Sequence, residues 1–108
     1  LCEVRKMIHK IGFFIEKEKF CMDAGKPYLV MRAVRGEEKT PYEPAEYEYG
    51  RLLPEVSDTA YRKFLLDERD KKMKLQETLK MQKTSGAGAR VEELTEEIKG
   101  LNWILNKF

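Results

Sequence analysis

The side chains that could carry acid–base or nucleophilic chemistry are few in this 108-residue sequence, and they stand far apart. His9 is the single histidine, and it falls on the opposite side of its predicted helix from the apolar stripe, so we expect it to be solvated. The acids of the run DERDKK, residues 67–72, are mixed with bases, which is typical of a solvated helix face. A general acid–base pair instead needs an apolar environment that separates two pKa values. Cys21 has no base close to it in the sequence, and we therefore predict that the protein is not an enzyme.

Metal and cofactor sites find equally little support among the residue types. Cys2 and Cys21 are the only cysteines, and a single histidine cannot complete a zinc site with them. The stretch TSGAGAR, residues 84–90, lacks both glycine patterns that hold phosphates, GxGxxG and GxxxxGK[ST]. We predict no metal, no cofactor and no small-molecule ligand. Sparse cysteine favours a reducing, intracellular location (cytoplasm or nucleus), and no apolar run is long enough to indicate a membrane partner.

The composition favours exposed helices. Charged residues make up 37% of the chain, well above the roughly 25% of an average domain, while the formal net charge is only +2. A balance this small gives no argument from total charge for nucleic-acid or membrane binding. The sequence begins with Leu rather than Met, so we expect a fragment of a larger protein.

Helical spacing dominates the first twenty residues. Six apolar residues recur at intervals that place them on one face of a helix: Val4, Met7, Ile8, Ile11, Phe14 and Ile15. The next segment, residues 27–35, is compatible with a two-turn helix or with a short strand. A strand there would need a partner, for which the alternating Tyr47 and Tyr49 are the best candidates.

The rest of the chain divides into an acidic connector and two helices. Residues 36–56 contain three of the four prolines and no helical period, so an extended connector is predicted. Ser57 is a candidate N-cap for a long helix over residues 57–84. The glycine-rich turn then returns the chain into a last helix. Domain organisation is thus 1–35, 36–56 and 57–108. The predicted fold class is mainly α: an N-terminal helix, an irregular middle that could hold a short β-hairpin, and a C-terminal antiparallel helical hairpin resembling a coiled coil.

The last helix carries an apolar seam with heptad spacing. Its members are spaced three, four, three, four and three residues apart: Val91, Leu94, Ile98, Leu101, Leu105 and Phe108. Helix 57–84 faces this seam with few apolar residues, so either residues 4–15 or another protein must cover it. Trp103 lies away from the seam beside Gly100, and tryptophan is common in binding hot spots.

These patterns favour a non-catalytic protein–protein interaction or oligomerisation module within a larger intracellular protein. Its partner would be another protein or a second copy of the chain. The residues predicted to bind that partner are Leu94, Ile98, Leu101, Trp103, Leu105 and Phe108.

A helical DNA- or RNA-binding domain is the alternative. Its nucleic-acid contacts would come from the basic residues of helix 57–84: Arg62, Lys63, Arg69, Lys71, Lys72 and Lys74. Interleaved acids make this alternative the weaker of the two. The sequence leaves open the identity of the partner, the oligomeric state and the phosphorylation of Tyr42, Tyr47 or Tyr49.

Overall fold

The structure, a computed structural model, describes residues 2–56, 58–82 and 86–108. A short helix is followed by a β-hairpin, two further short helices and two long helices. In chain order the elements are α1 (Cys2–Lys10), β1 (Phe13–Asp23), β2 (Lys26–Arg35), α2 (Pro44–Tyr49), α3 (Leu52–Glu55), α4 (Thr59–Lys80) and α5 (Ala87–Leu105). Within the described ranges, no helix is both long enough and apolar enough to cross a membrane.

The first helix ends at Lys10, five residues before Ile15, the last member of the apolar stripe that predicted it. The amide of Gly12 donates to the carbonyl of His9, and Gly12 has a φ of +86°, a left-handed conformation that glycine adopts readily. Beyond it the chain is a strand, in which Ile15 and Phe20 are buried. The prediction of one helix through residue 20 is therefore wrong. The short apolar run FFI at residues 13–15 suits a strand as well as a helix, and pairing with β2 decides between them.

A tight turn joins the two strands. Ala24 and Gly25 both have positive φ, +50° and +77°, as a two-residue hairpin turn with the right twist requires. The strands pair antiparallel from Phe13 opposite Arg35 to Asp23 opposite Lys26, with one irregularity between Ile15 and Lys17. Residues 27–35 are thus a strand, and their partner is β1. The proposed pairing with Tyr47 and Tyr49 is wrong, because both tyrosines lie in α2.

The connector is partly helical rather than extended. Pro44 occupies the first turn of α2, where its missing amide costs nothing, and the Glu46 carboxylate accepts from the backbone amide of Glu43 at 2.8 Å. Gly50, with a φ of +96°, ends α2 and lets α3 follow at once. Local capping therefore overrides the high proline content on which the prediction of an extended chain rested.

The two long helices run antiparallel. The Gln76 amide donates to the carbonyl of Val91 and to the hydroxyl of Thr95, while Arg69, farther back on α4, reaches Asn102 at the other end of α5. The Asp58 carboxylate accepts from the amide of Tyr61 at 2.8 Å and caps α4. The predicted cap, Ser57, lies outside the described residues, as do residues 83–85 of the predicted turn.

The core lies where the hairpin meets the helices. It consists of Phe20, Leu53, Tyr61, Leu65, Leu101 and Ile104, all of them buried. Tyr61 and Leu65 come from α4, as expected, but Phe20 comes from β1 and Leu53 from α3, so part of the cover for α5 comes from elements that the sequence does not assign to it. Burial of each large aliphatic side chain of α5 stabilises the fold by about 1.5–3 kcal/mol.

Candidate functional site

A buried ion pair holds α1, β1 and α2 together. The side chain of Arg5 has no exposed surface, and its Nε donates to Glu18 Oε1 at 2.8 Å. Its Nη1 donates to the carbonyls of Tyr47 and Glu48, at 2.8 and 3.0 Å, where the cation meets the negative end of α2. A Cβ atom at Gly50 would lie 2.6 Å from a Glu18 carboxylate oxygen, so the pair leaves no room there for a side chain. The contacts of this pair give it a structural role in the fold.

The side chain of His9 contacts the connector, residues 36–56, instead of being surrounded by solvent. Its Nδ1 lies 2.8 Å from the Tyr47 hydroxyl, its Nε2 lies 3.3 Å from Glu38, and Tyr42 packs edge-on at 4.7 Å. The expectation of a solvated histidine is therefore wrong. The reason is that residues 38–47 fold back over α1, which the helical wheel of a single segment cannot reveal.

The remaining candidates for chemistry are dispersed. Asp67 and Asp70 are exposed on α4, and Glu68 lies 3.7 Å from Lys71. Cys21 is exposed on β1. Among the residues that the structure describes, no group of three or more histidine, cysteine or acidic side chains could hold a metal ion.

The residues predicted to bind a protein partner lie in different environments. Leu94 and Leu101 are completely buried by the chain itself. Ile98, Leu105 and Phe108 are half-buried, and the last two pack against the core. Trp103 is 36% exposed, with the Lys107 ammonium 4.5 Å from the centre of its ring. The tail thus hides most of its seam without a partner.

Large exposed apolar side chains occur on several elements of the described chain. Val4 and Met7 on α1 are 40% and 57% exposed, and Ile11, just after α1, is 62% exposed. Others lie on the hairpin and on or beside α4: Met22, Val30, Val56, Met73, Leu75 and Met81.

The predicted basic residues also separate into two groups. Arg69 and Lys72 face α5, where Arg69 contacts Asn102 at 3.0 Å and Lys72 lies 3.5 Å from Glu97. The others are exposed on α4: Arg62, Lys63, Lys71 and Lys74. In all, α4 carries seven lysines and arginines against four acids. The four exposed residues are the predicted cations that a polyanion could reach.

An aromatic cleft of about 270 Å³ opens between the hairpin and α4. Five aromatic residues line it: Phe20, Tyr28, Tyr49, Tyr61 and Phe64. Burial, with help from the charges of Glu48, Glu97 and Glu68, raises the pKa of Tyr49 to about 12, so its hydroxyl stays protonated near neutral pH. Burial likewise raises the pKa of Tyr61, whose hydroxyl donates to the Tyr49 carbonyl at 2.6 Å.

Sequence reasoning missed this cleft because its walls come from β1, β2, α2 and α4. No spacing within any one element brings these five side chains together. The only local signal is the density of aromatic residues between Tyr42 and Phe64, which the sequence analysis did not connect with a binding site.

Comparison with known proteins identifies a family. A family model described as TrmK, tRNA (adenine(22)-N(1))-methyltransferase, matches residues 2–102. None of the curated proteins matches the sequence significantly.

Several solved structures share the fold across 96% of this chain. One is the M1A22 tRNA methyltransferase TrmK of Bacillus subtilis, with a TM-score of 0.81 and 17% identity, of which this chain covers 47%. Another is an uncharacterised protein of Listeria monocytogenes, with a TM-score of 0.87, 16% identity and 46% coverage. A third is Sp1610 of Streptococcus pneumoniae, a candidate tRNA (m1A22) methyltransferase in complex with S-adenosyl-L-methionine, with a TM-score of 0.74, 18% identity and 42% coverage. The chain thus spans less than half the length of these proteins.

These findings overturn several predictions. The fold is not a mainly α, coiled-coil-like hairpin; it matches part of an α/β methyltransferase fold, because the two strands are integral to the match. A non-catalytic interaction or oligomerisation module is contradicted, as is the prediction that the protein is not an enzyme, because the matching family is one of tRNA methyltransferases. Two predictions about partners are contradicted as well: that the protein binds no small molecule, and that nucleic acid is the less favoured partner. Residue types and spacing do not reveal the family here, because the chain spans less than half the length of the matching proteins.

The residues described here do not by themselves fit S-adenosylmethionine. Nucleotide cofactors of α/β folds lie at the carboxyl ends of parallel strands, beside a glycine-rich turn into a helix. Across 2–56, 58–82 and 86–108 the two strands are antiparallel, and their connection is the tight turn at Ala24 and Gly25. No step of methyl transfer is therefore assigned to residues of this chain.

Proposed function

Because this chain belongs to the TrmK family of tRNA (adenine(22)-N(1))-methyltransferases, we propose that it is part of an enzyme that methylates N1 of an adenine in tRNA. The observation that carries this proposal is the family match over residues 2–102, which includes the hairpin and nearly all of α5. A tRNA substrate also agrees with the intracellular location predicted from the sparse cysteines.

Within that enzyme, the chain would contribute to tRNA binding, while the rest of the protein would bind the methyl donor. The exposed cations of α4 support this division, because phosphate contacts supply most of the affinity for nucleic acid. The absence of a fitting cofactor site in the described residues points the same way. The four candidate contacts are Arg62, Lys63, Lys71 and Lys74.

The exposed face of α1 would pack against the remainder of the enzyme. Val4 and Met7 on α1 and Ile11 just after it are exposed apolar side chains, and the described part of the chain contains a sheet of two strands. A two-stranded sheet is marginally stable alone, and an α/β methyltransferase supplies further strands. This arrangement agrees with solved structures more than twice as long as the region they share with the chain.

Methyl transfer to tRNA tests the proposal directly. The full-length protein containing this chain is incubated with S-adenosylmethionine and unmodified tRNA, and the product is digested and mapped by mass spectrometry. We expect 1-methyladenosine at position 22, and none in a matched tRNA with guanine at that position. Methylation of both tRNAs at another site, or of neither, would refute the proposed activity.

The basic surface of α4 has its own test. Replacing Lys63, Lys71 and Lys74 by Gln should raise the KM for tRNA and lower the slope of log affinity against log salt by up to about 3, roughly one per lost phosphate contact. Lys99→Gln, on the acidic helix α5 and 3.5 Å from Glu96, is the control and should change neither quantity. An unchanged salt slope in the triple variant would remove α4 from the tRNA interface.

A further inference from the structure

The aromatic cleft has an accessible mouth and a closed floor. Phe20 and Tyr61 are almost completely buried and form the floor, with ring centres 4.9 Å apart. Tyr28, at the mouth, is 48% exposed, and Tyr49 and Phe64 are half-buried. An aromatic ligand entering from solvent would therefore meet three rings that still have free surface.

The rings are held in place by contacts below the cleft. Phe64 packs on Phe20 at 5.2 Å and lies nearly parallel to Tyr61, at 6.1 Å and 17°. The backbone carbonyl of Tyr49 accepts a hydrogen bond from the hydroxyl of Tyr61. Because Phe20, Tyr61 and Phe64 are packed on one another before a ligand arrives, these three rings have little conformational entropy left to lose when a flat molecule binds.

Polar groups at the mouth can both accept and donate. Glu48 is exposed, so its carboxylate can accept from an amino group, and Glu68 is half-buried and lies 3.7 Å from the Lys71 ammonium. Lys72 lines the same mouth, and the exposed ammonium of Lys71 lies one residue away on α4. A ligand that matches this set is flat and aromatic, carries an amino group and is attached to a negatively charged chain.

We propose that this cleft binds one unpaired, amino-bearing base of the tRNA, with its phosphate near the exposed ammonium of Lys71. The proposal rests on the function proposed above, and it adds a base-binding site to the phosphate contacts of α4. Proteins commonly recognise RNA by stacking unpaired bases on aromatic side chains, and a carboxylate selects bases that donate from an exocyclic amine. The volume of about 270 Å³ lies just below the roughly 300 Å³ at which ligand pockets usually begin, which suits a single base better than a longer segment.

The main competitor is an apolar side chain from elsewhere in the full-length protein. Such a side chain would need no carboxylate at the mouth, where Glu48 is exposed. Val4 and Met7 on α1, with Ile11 just after it, are exposed apolar side chains that are better suited to protein packing. Charge and ring placement therefore favour the nucleotide.

Affinity of the full-length protein for tRNA tests the cleft. Tyr28→Ala removes the most exposed ring, and we expect tRNA binding to weaken roughly fivefold to a hundredfold, since stacking of one base is worth about that factor. Tyr28→Trp, which keeps a stacking surface, should retain binding. The matched control is Trp103→Ala, an exposed aromatic residue outside the cleft, which should leave affinity unchanged. A fully paired RNA duplex should bind the wild type and Tyr28→Ala equally.

Ultraviolet cross-linking of the wild-type protein to tRNA provides a readout that does not depend on a variant folding. We expect cross-linked peptides that contain Tyr28, Tyr49 or Phe64. If the protein methylates tRNA but cross-links elsewhere and Tyr28→Ala binds normally, the cleft proposal fails and the proposed function stands. If the wild type neither binds nor methylates tRNA, the proposed function itself fails.

Discussion

At the scale of single residues, the buried pair of Arg5 and Glu18 decides how the hairpin joins the helices. Both side chains are fully shielded from solvent, and the guanidinium also caps the carboxyl end of α2. Nothing in the sequence sets Arg5 apart from the exposed bases near it, because its partners lie 13 and more than 40 residues away. A charge becomes buried only when the folded structure brings compensating groups to it.

Arg5→Met should destabilise the protein by about 3–5 kcal/mol, because it leaves the Glu18 carboxylate buried without its cation. The measurement is the free energy of unfolding from denaturant titration. Arg32→Met is the control, since Arg32 and Glu16 form an exposed pair at 3.8 Å that is worth at most about 1 kcal/mol. An equal decrease in the free energy of unfolding in both variants would show that the buried pair contributes no more to stability than the exposed one.

At the scale of elements, local signals predict the long helices well and the hairpin poorly. Helix α4 lies within the range 57–84 expected from apolar spacing and the lack of proline, and α5 overlaps residues 91–108. The apolar stripe of residues 4–15 instead divides between a helix and a strand. Its residues satisfy a helical wheel by coincidence, since apolar runs of a few residues are compatible with either structure.

Capping of α4 offers a test at this scale. Asp58→Ala removes the acceptor for the Tyr61 amide and should cost about 0.5–2 kcal/mol, because a helix N-terminus loses its side-chain partner. Thermal unfolding followed by circular dichroism measures the change. Asp70→Ala, an exposed acid in the middle of the same helix, should leave the melting temperature nearly unaltered. Comparable shifts for both substitutions would contradict the assigned cap.

The stability that the connector contributes should depend on pH through the ionisation of Glu46. Burial opposes ionisation of this carboxyl, but hydrogen bonds from Arg51 and from the Glu43 amide prevail and lower its pKa. A lowered pKa means that the carboxylate contributes its full stability above the ordinary value of about 4.5 and loses it as the pH falls through the lowered value.

The difference in unfolding free energy between wild type and Glu46→Gln should therefore be constant above about pH 5 and shrink at lower pH. Urea titrations at a series of pH values measure it. A difference that persists unchanged down to pH 2 would show that the carboxylate contributes nothing through its charge.

At the scale of the whole molecule, the exposed apolar side chains lie mostly outside the seam of α5, where they were expected. The seam is largely hidden by β1, α3 and α4, whereas Val4 and Met7 on α1 and Ile11 just after it are exposed, as are Met73 and Leu75 on α4. Apolar spacing identifies faces that must be covered but says nothing of which neighbour covers them. The candidate aromatic cleft was unpredictable for the same reason, because its rings come from four elements.

Met7→Lys should change the stability of the isolated chain and of the full-length protein by different amounts. In the isolated chain the side chain is 57% exposed, so the substitution should change stability little. In the full-length enzyme we expect marked destabilisation, because the lysine would be buried against the remaining sheet without a partner. Met81→Lys, at an 87% exposed site after α4, should be neutral in both. A neutral Met7→Lys in the full-length enzyme would mean that α1 faces solvent there too.

The sequence by itself determined the features that depend on neighbours a few residues apart: the extent of α4, much of α5 and the mixed charge of the α4 surface. Tertiary structure alone decided that residues 13–35 form a hairpin, that Arg5 and His9 are enclosed, and that five aromatic rings meet in one cleft. Helical hydrogen bonds close within four residues and leave a periodic trace, whereas strand pairing, ion-pair burial and cleft formation join distant segments whose energies appear only once the chain has folded.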